Sequence, residues 1–515
     1  MKQVAPASRF VFTQNHCIFI ILLIAALLRL PGLSGEWQYD EIWTLLNFTE
    51  LDTFQILTDV SLPNNHPVNT LILKLLRNIS EARQIIRFGV FAAGLWVVYL
   101  AVKLAALASE DNNCAKYSAG LLAAATPALI LFSVTARGYI YQLAGLMLCV
   151  NGLLEIACGR KTRYSGVKIV AGGVLAFLSV SSGIMFLAVI AAAYLLLAPK
   201  SCRWDKTVWF SGGILLLAAL GYYLPLFEQL RCGQQWGIEI MNFSGLIRFG
   251  FTTLKAHLPP FTALLALCGV ICVHVMRKLF LFALLPLIMA LVTKGGPERV
   301  YLVLTMLFIV MGGCGFAGVC EKFPEKRKIF QIIFLCGVIL NSVFVQSPWQ
   351  IPCPAAEMKQ IMLDHAENVL PVAASTAGFP VKVNEPEIAK AIEHRAAFPE
   401  KLLMLNCADG VFNGADIENS EQQMSFPVSG TWQKGRVPGY MYKLVPIEKL
   451  VPGMTVLAIF SGSNVPAEFL QLPGKKLRLN LWLNQRMPVF IGNFVNGDVP
   501  YFEGVRYFQI GEKND

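Results

Sequence analysis

Phe177-Leu178-Ser179-Val180-Ser181-Ser182-Gly183-Ile184-Met185 sits in the middle of an apolar run covering 167–198. About 20 residues of helix cross the hydrocarbon core of a bilayer, so the run is too long for one untilted span and short for two. The serines and Gly183 interrupt it at its centre and predict two short helices that turn there. Outward from this stretch, apolar runs near span length occur at 15–33, 85–108, 117–134, 138–158, 208–228, 258–276, 279–293, 299–319 and 329–346. Together with the two short helices they predict about eleven membrane-spanning helices.

The positive-inside rule tests that count. With two crossings between 167 and 198, four basic clusters share one side: Arg160/Lys161/Arg163/Lys168, Lys200/Arg203/Lys206, Arg277/Lys278 and Lys322/Lys326/Arg327/Lys328. A single crossing scatters them. Lys2 and Arg9 join the same face, so the N-terminus is expected in the cytoplasm, and the loop after the first span and the polar tail outside.

Composition agrees with a polytopic membrane protein. The 515 residues are 55% hydrophobic and 15% charged, with mean hydropathy +0.55, outside the usage of soluble domains. The net charge of +10 comes from short Lys/Arg clusters between apolar runs, as orientation signals do, so nucleic acid is not an expected partner. Thirteen cysteines lack metal-site spacing, and Cys149, Cys268, Cys272, Cys314 and Cys336 fall in apolar runs where Cys acts as a small hydrophobe. Cys353 and Cys407 in the tail have the option of pairing if it faces an oxidising compartment. The first run lacks a small-residue cleavage site and is read as a retained span.

The division expected is a membrane domain over 1–346 and a soluble α/β domain over 347–515. In the tail, helix-like segments at 355–370 and 385–394 alternate with strand-like runs at 402–406, 454–460, 477–482 and 487–494, separated by Pro, Gly and Asn.

Chemistry concentrates on the outer side. Asp40-Glu41 stands just after the first span, within Gly35-Glu36-Trp37-Gln38-Tyr39-Asp40-Glu41-Ile42-Trp43. Ionisable groups beside a bilayer are costly unless used or solvated, so this pair is the first site candidate; a solvated helix start is the plainer alternative. Trp37, Tyr39 and Trp43 suit sugar stacking and an interfacial aromatic belt alike. His66, Arg137, Tyr139, Lys255, His257, Lys294, Glu298, Arg299 and Tyr301 fall at the same face. His66-Pro67 opens an interfacial helix, where His is either a phosphate or hydroxyl ligand or a polar cap. Arg137 has no acidic sequence neighbour, and its planar guanidinium suits a pair of phosphate oxygens, although an Arg snorkelling from a helix end reads the same way. In Lys294-Gly295-Gly296-Pro297-Glu298-Arg299-Val300-Tyr301, Glu298 has Lys294 within reach and Arg299 sits deeper.

These landmarks resemble the membrane-embedded GT-C glycosyltransferases related to protein O-mannosyltransferases and aminoarabinose transferases, the glycosyltransferase family 39 group. The likeness lies in Leu30-Pro31-Gly32-Leu33 leading to Tyr39-Asp40-Glu41, then His66-Pro67, then Ser133-x-x-Ala136-Arg137-x-Tyr139, then Arg299-x-Tyr301. The resemblance implies a polyprenyl-phosphate-linked sugar donor, an acceptor at the outer face that is a glycolipid, glycan or protein, and inversion at the anomeric carbon. It places Asp40 at the acceptor hydroxyl as base or positioning residue, with Glu41 supporting it. Arg137, Arg299, His66 and Lys294 go to the donor phosphate, and Tyr139 and Tyr301 to the substrate. The chain departs from the family at Val68, where a second proline is common, and at Gly138, where a larger residue is. The expected location is a bacterial inner membrane. No metal site is predicted, and a divalent cation held by carboxylates against a phosphate stays open.

The rival class is a transporter or flippase of a lipid-linked substrate, which calls for ionisable groups near the bilayer midplane in broken helices. Here Glu155 lies near a helix end and the break at 179–183 carries no charge. A noncatalytic scaffold has no need of Asp40.

Overall fold

The computed structural model describes residues 14–34, 41, 44–45, 48–49, 51–60, 65–80, 82–233, 258–272 and 298–343, and the strand segments of the tail. The expected span at 279–293, together with Asp40, Lys255, His257, Lys294, Cys353 and Cys407, lies outside the described residues.

The first span is α1 (Gln14–Leu33). A short α2 (Thr53–Thr58) follows, closed by a capping box in which Asp52 and Gln55 satisfy each other's backbone N–H groups. Helix α3 (Pro67–Arg77) starts with proline at its first position, where the missing N–H costs nothing. The chain then runs through α4 (Phe88–Ala108), α5 (Asn113–Ala125), α6 (Pro127–Phe132) and α7 (Tyr139–Ala157). Next come α8 (Ser165–Ser179), α9 (Gly183–Leu197), α10 (Lys206–Tyr223), α11 (Pro260–Cys272), α12 (Val303–Lys322) and α13 (Arg327–Val343).

Among the described residues, helices at Gln14–Leu33, Phe88–Ala108, Tyr139–Ala157 and Arg299–Lys322 are long and apolar enough to cross a membrane, and Ser165–Ser179, Gly183–Leu197 and Pro260–Ile271 are shorter apolar helices. The run at 167–198 does divide into two helices, with Val180 extended between them. The run at 117–134 is not one helix. Thr126 is extended because a residue before proline is pushed out of the α region, and Pro127 starts α6.

The break at Pro127 leaves the last carbonyls of α5 without partners from their own helix. Arg29, 0% exposed in α1, supplies them: Nη1 donates to Ala124 O at 2.9 Å and Nη2 to Ala123 O at 3.4 Å. A guanidinium inside an apolar helix thus becomes the cap of its neighbour.

Helices α4, α5, α7 and α12 pack against one another around the main hydrophobic core, with α1 beside α4 and α5. Two close crossings build the bundle. A Cβ on Gly145 of α7 would lie 2.5 Å from Gly172 O of α8, and the reverse holds for Gly172. At the second crossing a Cβ on Gly269 of α11 would lie 2.5 Å from Met311 O of α12, and one on Gly315 of α12 would lie 2.5 Å from Gly269 N. Small residues let backbones approach in this manner within membranes, where apolar burial gives little drive between helices. Helix α10 turns Phe210, Leu216, Leu217 and Leu220 outward, as a lipid-facing helix would.

At one end of the bundle the loops are tied by ion pairs, Lys161 to Asp205 at 2.9 Å and Arg160 to Asp111, and Glu155 accepts from Lys168 and Ser165. Helices α4, α7 and α12 end at this side and begin at the other, about 30 Å away for a 21-residue helix.

In the tail the described strands are β1 (Val369–Ala374), β2 (Leu403–Met404), β3 (Thr455–Phe460), β4 (Lys475–Lys476) and β5 (Gly504–Ile510). They form one mixed sheet in the order β2-β1-β3-β5-β4. β1 is parallel to β2 and β3, while β5 is antiparallel to β3 and β4. The runs expected at 402–406 and 454–460 contain β2 and β3. β1 overlaps the end of the helix expected at 355–370, and the other tail expectations lie outside the described residues.

Candidate active site

The end of the bundle where α4, α7 and α12 begin gathers Glu41, His66, Arg137, Tyr139 and Arg299 from the polar residues that the sequence singled out. Glu41 is enclosed there, and Arg87, at the start of α4, holds it with two parallel hydrogen bonds. Nε donates to Oε1 at 2.9 Å and Nη2 to Oε2 at 2.7 Å. Arg87 Nη1 also donates to Gly32 O and Leu33 O at 3.2 and 3.3 Å, capping the end of α1. The fork of a guanidinium fits a carboxylate in this arrangement.

Glu41 Oε1 also accepts from Ala136 N at 2.6 Å, and Ala136 O accepts from Asn69 Nδ2 at 2.9 Å. Ala136, the residue before Arg137, is therefore held through both its N–H and its carbonyl, by Glu41 of the loop after α1 and by Asn69 of α3. The loop that carries Asp40 is fastened through Glu41 to the residue next to Arg137.

Arg137, 3% exposed, extends toward Thr44 Oγ1 at 3.5 Å and over the ring of Tyr139 at 5.7 Å. Arg299 reaches the same ring from the 3-10 turn Glu298–Tyr301, with its guanidinium 6.0 Å from the centroid, and its Nε donates to Tyr139 Oη at 2.9 Å. Tyr139 thus spaces two guanidiniums, using ring faces that favour cations. His66 meets the third side edge-on at 5.1 Å.

His66, outside the membrane spans, is 1% exposed. Burial holds its imidazole well below the usual histidine range, Arg137 and then Arg299 push the same way, and a hydrogen bond with the Ser179 backbone pushes back. Gly138 makes room for this ring: a Cβ there would stand 2.7 Å from His66 Cβ, 2.8 Å from Cγ, and against Ser179 O. The glycine that departs from the family pattern therefore has a local reason.

A cavity of about 30 Å³ adjoins His66, walled by Asn65, Phe177, Val180, Ser181, Tyr222 and Tyr223. Tyr222 donates to Leu57 O at 2.6 Å and Tyr223 to Phe177 O at 2.7 Å, which fixes both rings.

The structure therefore brings His66, Arg137, Tyr139 and Arg299 together, with Glu41 behind them. Tyr301 is 1% exposed, in the core, edge-on to Phe186 at 5.9 Å. Arg87 and Asn69 escaped the sequence reading. Arg87 falls within the apolar run at 85–108, where a charge without an acidic neighbour calls for a distant partner.

With that geometry in hand, the solved structures this chain resembles are informative. The Archaeoglobus fulgidus oligosaccharyltransferase, crystallised with Zn and sulfate, superposes with a TM-score of 0.50 at 11% identity, over 86% of this chain and 68% of that one. The fold is GT-C-like. ArnT from Cupriavidus metallidurans in its apo state gives a TM-score of 0.49 at 11% identity over 96% of this chain and 98% of that one. At such identities the likeness is one of fold. No protein-family model and no curated protein sequence matches the chain.

Proposed function

We propose that this GT-C-like protein is an inverting glycosyltransferase that moves a sugar from a polyprenyl-phosphate donor to a glycolipid, glycan or protein acceptor at the outer membrane face. The observation that carries the reading is the pair of guanidiniums, Arg137 and Arg299, set around Tyr139 beside His66 and coupled through Ala136 and Glu41 to the loop bearing Asp40. That concentration of positive charge suits a phosphate.

In this reading Asp40 takes the proton of the acceptor hydroxyl as the hydroxyl oxygen attacks the anomeric carbon. The bond from that carbon to the phosphate oxygen breaks, and the electron pair leaves with the lipid phosphate, whose new charge Arg137 and Arg299 offset. The leaving group is already good, so no general acid is needed. Glu41, engaged by Arg87, positions rather than reacts, and Lys294 joins the phosphate ligands. Residues 347–515 form the extracytoplasmic domain, and the membrane is a bacterial inner membrane.

Asp40→Asn is nearly isosteric. With purified protein, a polyprenyl-phosphate sugar and an envelope acceptor fraction, transfer should fall about 10²–10⁴-fold, the usual worth of a general base, with donor binding retained. Transfer at the wild-type rate by a folded Asp40→Asn protein would sink the proposal.

A further inference from the structure

The imidazole of His66 faces the Ser179 backbone, while its Nε2 is buried with no hydrogen-bond partner. The nitrogen facing Ser179 is therefore Nδ1, and the carbonyl there, which lies against Gly138, calls for a proton on Nδ1. In the neutral ring Nε2 then carries a lone pair. Among the described residues, the charged groups acting on this ring are Arg137 and Arg299. Tyr139 faces it from α7, and Tyr222 and Tyr223 of α10 share the wall of the adjoining cavity.

A lone pair is the wrong partner for a phosphate oxygen, because both are acceptors. Two guanidiniums keep the ring neutral while the site is empty, and an anion arriving between them reverses that balance. We propose that His66 takes up one proton at Nε2 when a lipid phosphate monoester, the leaving group of the transfer, occupies the site, and that the new Nε2–H donates to a phosphate oxygen. This rests on the glycosyltransferase reading. The proton comes from solvent, and Nε2–H is the only covalent bond formed. In turnover a singly charged phosphodiester becomes a doubly charged monoester, and protonated His66 matches the added charge until the product leaves.

The sign of the pH dependence follows. The occupied state holds one more proton than the empty one, so affinity falls as pH rises between the two imidazole values. The monoester's own second ionisation, near about pH 6, acts in the opposite direction, because the dianion binds cations better. Binding of undecaprenyl phosphate to the full-length protein in detergent, measured from pH 6 to 8, separates the two. The wild type should weaken by up to about tenfold per pH unit, the limit for one linked proton, while His66→Gln and His66→Asn should be flat or tighten. Calorimetry in two buffers of different ionisation enthalpy should show proton uptake by the wild type and none by the variants. Wild-type affinity that is level or rises with pH, or variants that keep its slope, would overturn the inference alone. No binding of undecaprenyl phosphate by the wild type at any pH would overturn the glycosyltransferase reading with it.

Discussion

Glu41 and Arg87 are joined by two hydrogen bonds of 2.7 and 2.9 Å, with their side chains 0% and 2% exposed. Buried pairs of this kind are weak sources of net stability, but removing one partner strands a charge at a cost of about 3–5 kcal/mol. Arg87→Met and Glu41→Gln should each lower the thermal midpoint in detergent. The double variant should lose clearly less than the sum, because neither charge is then left alone. Additive losses would mean that the two groups are not coupled.

Arg137 and Arg299 are predicted to bind the donor phosphate. A hydrogen bond to a charged group contributes about 1.5–3 kcal/mol, so Arg137→Ala or Arg299→Ala should weaken donor affinity roughly ten- to a hundredfold. Arg137→Lys should recover only part of it, since an ammonium lacks the planar fork. Equilibrium binding of a polyprenyl-phosphate sugar decides the matter, and unchanged affinity in both Ala variants would remove the phosphate role.

Which parts of this structure were legible in the sequence follows from how local their causes are. The division at 179–183 was readable because Ser179, Ser181, Ser182 and Gly183 interrupt an apolar run within a few residues. The helix after His66-Pro67 was readable from proline chemistry. The break at Pro127 has the same chemistry, but an apolar run on both sides masked it, and its compensation by Arg29 depends on a helix about 95 residues away. The clustering of His66, Arg137, Tyr139 and Arg299 was expected from their shared membrane face and from the donor site that the family resemblance implies. Their mutual spacing depends on how α3, α7 and the turn before α12 pack. Arg87 had no local signal of its partner, since Glu41 lies 46 residues back. In the tail, β3 was clear from its apolar run, whereas β1 follows a helix-like segment, and pairing with distant β3 decides its state.

Gly138 offers a test of the site's packing. Ala at this position places a methyl against His66 and Ser179 O, and overpacking costs about 1–3 kcal/mol. Gly138→Ala should lower the thermal midpoint and displace the imidazole, reducing donor affinity. Gly212, in α10, has nothing within 4 Å of the same added atom. Gly212→Ala should therefore be neutral or stabilising by about 0.5–1 kcal/mol, the ordinary gain of Ala over Gly inside a helix. Equal destabilisation by both changes would show that the space around Gly138 is not what matters.

Arg29 carries the last prediction, which concerns the architecture and not the chemistry. Its guanidinium satisfies Ala124 O and Ala123 O at the end of α5, and also Ala25 O at 2.9 Å within α1. An apolar bundle offers few other donors to replace these bonds, and a buried acceptor left unmet costs about 1–3 kcal/mol. Arg29→Met preserves length and apolar volume while deleting every donor, so its effect isolates the cap. The variant should unfold at a lower temperature, with faster hydrogen exchange at the amides of the last turn of α5. Arg29→Lys should fall between, because one ammonium reaches fewer carbonyls than a fork does. If Arg29→Met melted with the wild type and the exchange at 122–125 were unchanged, the guanidinium would not be what closes the helix that Pro127 interrupts.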